Sequence, residues 1–194
     1  MHRFIYTLIA IAAFGVATAP DIRAQDQRVT AQAQRITGDR FAISGRTPRG
    51  VAIMAVSRPS AQMLNAIDRG LTDLFAAARR AGYRNRLICS DYTIFIARAD
   101  RTTNADGQYS PDIAVGAAQY AGSVFDQGGY IFAAGMIVSN QPLAFVIAEH
   151  TRDLDRVANV VRYEGEHLVL YHNDRRRYAA TADHSRGGAH PILQ

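Results

Sequence analysis

The residues best suited to chemistry stand in one helical stretch, residues 159–174. A helix brings Tyr163, Glu164 and His167 to neighbouring positions, because side chains three or four residues apart share a helix face. Projection at about 100° per residue places Glu164 among apolar side chains and Glu166 on the opposite, solvated side. A carboxylate that faces a core must be paired, protonated or bound to a metal, since an unpaired buried charge costs several kcal/mol. Glu164 is therefore the first candidate for a functional group.

Histidines concentrate late in the sequence, where five of the six lie at or after position 150. Neutral imidazole is the commonest nitrogen ligand of zinc, and a catalytic zinc needs three protein ligands and an open position for water. The sequence therefore predicts a Zn²⁺ site. Its candidate ligands are His167, His172, His184 and His190, with Tyr163 and Glu164 as variant ligands.

The residue types and their spacing leave two interpretations of this helix open. In one, Glu164 and His167 are both metal ligands in a Glu-x-x-His arrangement that His184 or His190 completes. In the other, the helix is structural: Glu164 forms an ion pair with an arginine such as Arg186, and the histidines hydrogen-bond to the core.

The elements that must position these residues follow from hydrophobic patterning. Residues 51–56 form a strand, a helix with apolar spacing follows from residue 63 to residue 78, and residues 87–97 form a second, doubly covered strand. Strand, helix and strand in this order predict a parallel pair. Residues 130–138 and 143–148 are predicted to form a β-hairpin, and the candidate helix follows it in the sequence.

Residues 163–167, Tyr-Glu-Gly-Glu-His, resemble the HExxH helix of zincin metallopeptidases, with tyrosine in place of the first histidine. The order of elements over residues 51–174 is similar to that family as well. The resemblance implies an α+β, zincin-like fold: a mixed sheet with one packing helix and a second helix that bears the metal site. It also implies that Glu164 is the general base and His167 a zinc ligand. The third ligand would lie downstream, among His172, Asp174, His184 and His190.

The chain divides into three predicted segments. Residues 1–24 read as an export signal, 25–50 as a lead-in segment and 51–194 as a single domain. No second apolar stretch is long enough to span a bilayer, so we expect a secreted or periplasmic protein without a membrane span after signal cleavage. The single cysteine, Cys89, excludes an internal disulfide and is expected to be a buried thiol rather than a nucleophile.

The net charge of +5 comes entirely from arginine, since the chain contains no lysine. The arginines are scattered, and the run at residues 175–177 lacks the interleaved aromatic residues of a single-strand binder, which argues against nucleic acid as a partner. The predicted function is an exported metal-dependent hydrolase, metallopeptidase-like or a degenerate version of one, acting on a peptide or another periplasmic substrate. The alternative is a non-catalytic periplasmic binding or scaffold protein with the same fold.

Overall fold

The computed structural model describes residues 20–99, 112–116, 130–150, 152–181 and 190–193, which form an α+β fold around a mixed sheet. The helices are α1 (Pro20–Thr37), α2 (Ala61–Arg80), α3 (Leu154–Asn173) and α4 (Arg175–Thr181), with a short 3-10 helix at Cys89–Asp91. The strands are β1 (Ile43–Arg46), β2 (Ala52–Ala55), β3 (Tyr92–Ala97), β4 (Ile113–Gly116), β5 (Tyr130–Ala133), β6 (Gly135–Asn140) and β7 (Leu143–Ala148).

Five strands form the main sheet in the order β1-β2-β3-β7-β6. The three central strands run parallel, and the two edge strands, β1 and β6, are antiparallel to their neighbours. This confirms the predicted parallel pair, now β2 and β3. The predicted hairpin of residues 130–138 and 143–148 is confirmed in part: β6 pairs with β7, but residues 130–133 form β5, which pairs with β4 instead. Every residue of β7 is buried, as a strand covered on both faces requires. Strands β4 and β5 form a separate antiparallel pair.

Local signals account for the ends of α2 and α3. The Ser60 side chain accepts a hydrogen bond from the Met63 amide at the start of α2, and Gly82, with φ +87°, follows its end. Asp153 caps α3 by accepting a hydrogen bond from the Arg156 amide at 2.9 Å. The sequence offers Thr151 or Asp153 as the N-cap of this helix, and Thr151 lies outside the described residues.

Helices α2 and α3 cover one face of the sheet and pack closely against each other. Two glycines permit this approach. A Cβ at Gly70 of α2 would lie 2.8 Å from the Val161 Cβ of α3, and a Cβ at Gly165 of α3 would run into the Leu74 side chain of α2. The contact holds α3 in a fixed rotation about its axis, which determines what each of its other sides faces.

Helix α1 covers part of the opposite face of the sheet. Its residues Val29, Ala33 and Ile36 are buried in a second core with residues of β3 and β7. Residues 25–50, which the sequence sets apart as a lead-in segment, therefore contribute most of α1 and all of β1 to the packed structure. The predicted cleavage point after residue 24 falls within α1, and residues 1–19 lie outside the described residues.

The sequence predicts a surface loop over residues 100–112 and leaves the structure of residues 113–124 open. Of these, residues 113–116 form strand β4, and residues 100–111 lie outside the described ranges. Cys89 is buried, as expected. In the described part of the chain, no helix combines the length and hydropathy that a membrane crossing demands.

Candidate functional site

The candidate site surrounds the middle of α3, where three sides of the helix meet three different neighbours. One side packs on α2 through Val161 and Gly165. A second side meets the edge strand β6 through Glu164. The third side is covered by residues 190–193, which we call the covering segment.

Glu164 faces the start of β6 and is partly buried. A Cβ at Gly135 would lie 2.8 Å from the Glu164 Cγ and 3.1 Å from its Oε1, so the glycine makes room for this side chain. Burial raises the pKa of the Glu164 carboxyl group from 4.5 to about 7, and the electrostatic effect of the nearby His190 partly opposes this rise. The carboxyl group can therefore hold or release a proton near neutral pH.

His167 and His190 meet edge to face beside Glu164. Their Nε2 atoms are 3.2 Å apart, and their ring centroids are 4.9 Å apart at an interplanar angle of 86°. His167 is buried on α3, and the covering segment brings His190 to it from 23 positions further along the chain. Two of the predicted metal ligands, His167 and His190, thus direct their Nε2 atoms toward each other.

Glu166 corrects the sequence prediction, which placed it on the solvated side of the helix. The side chain has no exposed surface. Its Oε2 accepts a hydrogen bond from the Ile192 amide at 2.7 Å and lies 3.3 Å from Nδ1 of His190. Its Oε1 lies 3.5 Å from Nε of Arg162, one turn earlier on α3. The carboxylate therefore has an imidazole, an amide and a guanidinium around it.

The covering segment is the physical reason for this burial. Ile192 and Leu193 are buried in the core that contains residues of α2, α3 and the sheet, and burial of each such side chain contributes about 1.5–3 kcal/mol. Two arginines bind its backbone carbonyl oxygens: Arg162 donates to Leu193 at 3.1 Å, and Arg177 donates to Ile192. Helical projection identifies the side opposite the core, but it cannot show that another segment lies on that side.

Tyr163 stands where the HExxH pattern has its first histidine. Its ring stacks on the ring of His190, with centroids 5.1 Å apart and an interplanar angle of 19°. The Arg162 guanidinium lies 5.9 Å from the centroid of the same tyrosine ring. Tyr163 therefore supports the imidazole of His190 through its ring face.

The remaining ligand candidates lie elsewhere. His172 is directed to the far end of β6, where its Nε2 lies 2.8 Å from the carbonyl oxygen of Asn140. Asp174 ends α3 and accepts hydrogen bonds from the Arg177 amide and the Tyr83 hydroxyl, and the first of these bonds is the main reason that its pKa is lowered. His184 lies outside the described residues, as does Arg186.

The donor set provides a test of the predicted zinc site. Two nitrogens bound to one tetrahedral zinc at about 2.0–2.1 Å stand about 3.3 Å apart, close to the Nε2 separation of His167 and His190. A carboxylate at the other nitrogen of a ligand histidine is a common outer partner in zinc sites, and Glu166 has that place beside His190. Within the described ranges, however, no group of three or more His, Cys, Asp or Glu residues is arranged to hold a metal ion. The described residues therefore fit two ligand positions.

Two residues that contribute to this site were not predicted from the sequence. The first is Gly135, which no motif distinguishes from other loop or strand glycines. The second is Glu166, for whose role the sequence does contain signals: Arg162 stands four residues before it, a spacing typical of a helical ion pair, and the apolar pair at 192–193 indicates a buried segment.

Comparisons with protein-family models, curated proteins and solved structures find no match to this chain.

Proposed function

We propose that the protein is an exported metal-dependent hydrolase of the zincin-like type, with Glu164, His167 and His190 at its centre. The observation that carries the proposal is the 3.2 Å approach of the two histidine Nε2 atoms beside a carboxyl group whose pKa is raised to about 7. The order of elements supports it, because α3 follows a mixed sheet whose antiparallel edge strand β6 borders Glu164.

In this proposal the chain's own residues have separate tasks. His167 and His190 would hold Zn²⁺ through Nε2. The third ligand would be a residue outside the described ranges such as His184, or Glu164 after a change of its side-chain position, because its present position does not complete a three-ligand group. Bound zinc would supply a Lewis acid that lowers the pKa of water. If Glu164 is not a ligand, it is the general base, and a pKa near 7 suits proton transfer at neutral pH. The substrate would be a peptide or another hydrolysable periplasmic compound.

A non-catalytic binding or scaffold protein with the same fold is the second candidate. It is favoured by Tyr163, whose ring stacks on His190 where the zincin motif supplies a ligand, and by the two-histidine donor set. The two candidates differ in the effect of Tyr163→His. In the hydrolase, a histidine at this position should add a nitrogen ligand and raise zinc affinity.

The test measures zinc retained after refolding with the metal, for wild type and for His167→Ala, His190→Ala and His172→Ala. We expect stoichiometric zinc in the wild type and its loss from the first two variants. His172→Ala is the matched control because this histidine lies on the same helix but binds the Asn140 carbonyl oxygen instead. Wild-type protein without zinc, or equal loss in all three variants, would refute the metal site.

Glu164→Gln separates the roles of the carboxyl group. A variant that keeps zinc but loses hydrolysis of a mixed peptide substrate identifies Glu164 as the base, and a variant that loses zinc identifies it as a ligand. Stoichiometric zinc without hydrolysis by the wild type would favour the binding protein over the enzyme.

A further inference from the structure

The covering segment is attached to α3 by a set of contacts that converge on one buried carboxylate. Glu166 accepts from the Ile192 amide at 2.7 Å and stands 3.3 Å from His190 Nδ1, and both contacts use the same oxygen. The other oxygen faces Arg162, whose guanidinium also donates to the Leu193 carbonyl oxygen. Glu166 and Arg162 thus join the helix to three of the four residues of the segment.

We propose that Glu166 is a positioning residue: it fastens the covering segment to α3 and orients the His190 ring so that Nε2 faces His167. The proposal deepens the proposed function and rests on it for the zinc measurement, but the orientation of His190 can be measured without metal.

The hydrogen-bond geometry gives the reason. A carboxylate oxygen can only accept, so the contact with Glu166 requires the hydrogen of His190 to reside on Nδ1. Nε2 of the same ring then presents its lone pair toward His167, 3.2 Å away. Stacking on Tyr163 restricts the tilt of the ring but does not select between its two nitrogens. The contact with Glu166 therefore favours the hydrogen on Nδ1.

The first experiment records the ring-nitrogen chemical shifts of His190 in metal-free protein by NMR, for wild type, Glu166→Gln and Asp155→Asn. We expect a predominant Nδ1–H form in the wild type and a smaller population of it in Glu166→Gln, because the neutral amide oxygen of glutamine is a weaker acceptor than a carboxylate. Asp155→Asn is the control, because it neutralises a carboxylate on the same helix whose side chain is 89 % exposed. An unchanged Nδ1–H population in Glu166→Gln would overturn the proposal, whether or not the protein binds zinc.

The second experiment measures zinc affinity by competition with a chromophoric chelator. Loss of an outer-shell partner costs about 10- to 100-fold in metal affinity, and we expect a reduction of this size in Glu166→Gln and none in Asp155→Asn. A chain that ends after His190 keeps the ligand but loses its attachment through residues 192 and 193, so its affinity should fall at least as far. Unchanged affinity in Glu166→Gln would refute the positioning role.

The two experiments separate this proposal from the proposed function. An Nδ1–H population that predominates in the wild type and falls in Glu166→Gln, in protein that binds no zinc, would refute the metal site while supporting the orienting role of Glu166. Wild-type protein that binds zinc but shows no preference for Nδ1–H would refute the positioning role while leaving the metal site intact. Circular dichroism of each variant confirms that α2 and α3 remain folded.

Discussion

Replacing Glu164 by glutamine should change how the stability of the metal-free protein depends on pH. In the native state burial raises the pKa of this carboxyl group to about 7, whereas an unfolded chain keeps a value near 4.5. Between these values the native state holds a proton that the unfolded state has released. The free energy of unfolding must then decrease as pH rises from 4.5 to 7, because stability rises with pH only where the unfolded state binds more protons.

The magnitude follows from the two pKa values. The difference between 4.5 and about 7, at about 1.4 kcal/mol for each pKa unit, corresponds to about 3 kcal/mol at most, since Glu164 is only partly buried. The stabilisation is fully present below pH 4.5 and is lost as pH rises through 7. Glutamine cannot ionise, so this part of the pH dependence should disappear from Glu164→Gln.

Urea unfolding of metal-free protein at intervals from pH 4.5 to 8 provides the assay. The informative quantity is the difference in unfolding free energy between wild type and Glu164→Gln at each pH, because the titration of other groups largely cancels in it. Asp155→Asn, which alters an exposed carboxylate on the same helix, should follow the wild-type profile. A difference between wild type and Glu164→Gln that stays constant across this range would show that the native carboxyl group does not retain its proton, and the burial argument would be wrong.

Three further predictions concern packing and reactivity. Gly135→Ala places a Cβ 2.8 Å from the Glu164 Cγ and should destabilise the protein by about 1–3 kcal/mol in urea unfolding, whereas Gly45→Ala on β1 meets no atom within 4 Å and should not add such a clash. Gly165→Ala brings a methyl group into a leucine side chain of α2 and should lower stability by a similar amount; a neutral result would mean that the two helices can separate. Burial raises the pKa of the Cys89 thiol, so a thiol reagent should modify it far more slowly in native protein than in urea, and equal rates would contradict its burial.

The regular elements could be predicted because their signals are local. The apolar spacing of α2 together with Ser60 and Gly82, the β-rich runs of the hairpin, and Asp153 before α3 all act within a few residues of the element that they define. The parallel pairing of β2 and β3 also followed, since a strand, a helix and a strand in sequence leave few ways to pack the helix on the sheet.

The composition of the site was predictable only in part. Glu164 and His167 stand out because both are polar residues in an apolar helical pattern, and His190 belonged to a short list of later histidines. The list of later histidines does not select His190, because His172 lies on α3 itself whereas His190 reaches the helix only through the fold of a distant segment. The structure directs His172 to the Asn140 carbonyl oxygen and His190 to His167.

The sequence by itself determined that a helix carries a carboxylate and a histidine one turn apart, and that one of its sides faces a core. Only the tertiary structure decided what lies on the remaining sides. Glu166 is buried because its partners in the covering segment lie 24 and 26 residues away along the chain, beyond the reach of any helical period. A periodic pattern describes one helix in solvent, whereas burial depends on every segment that packs against it.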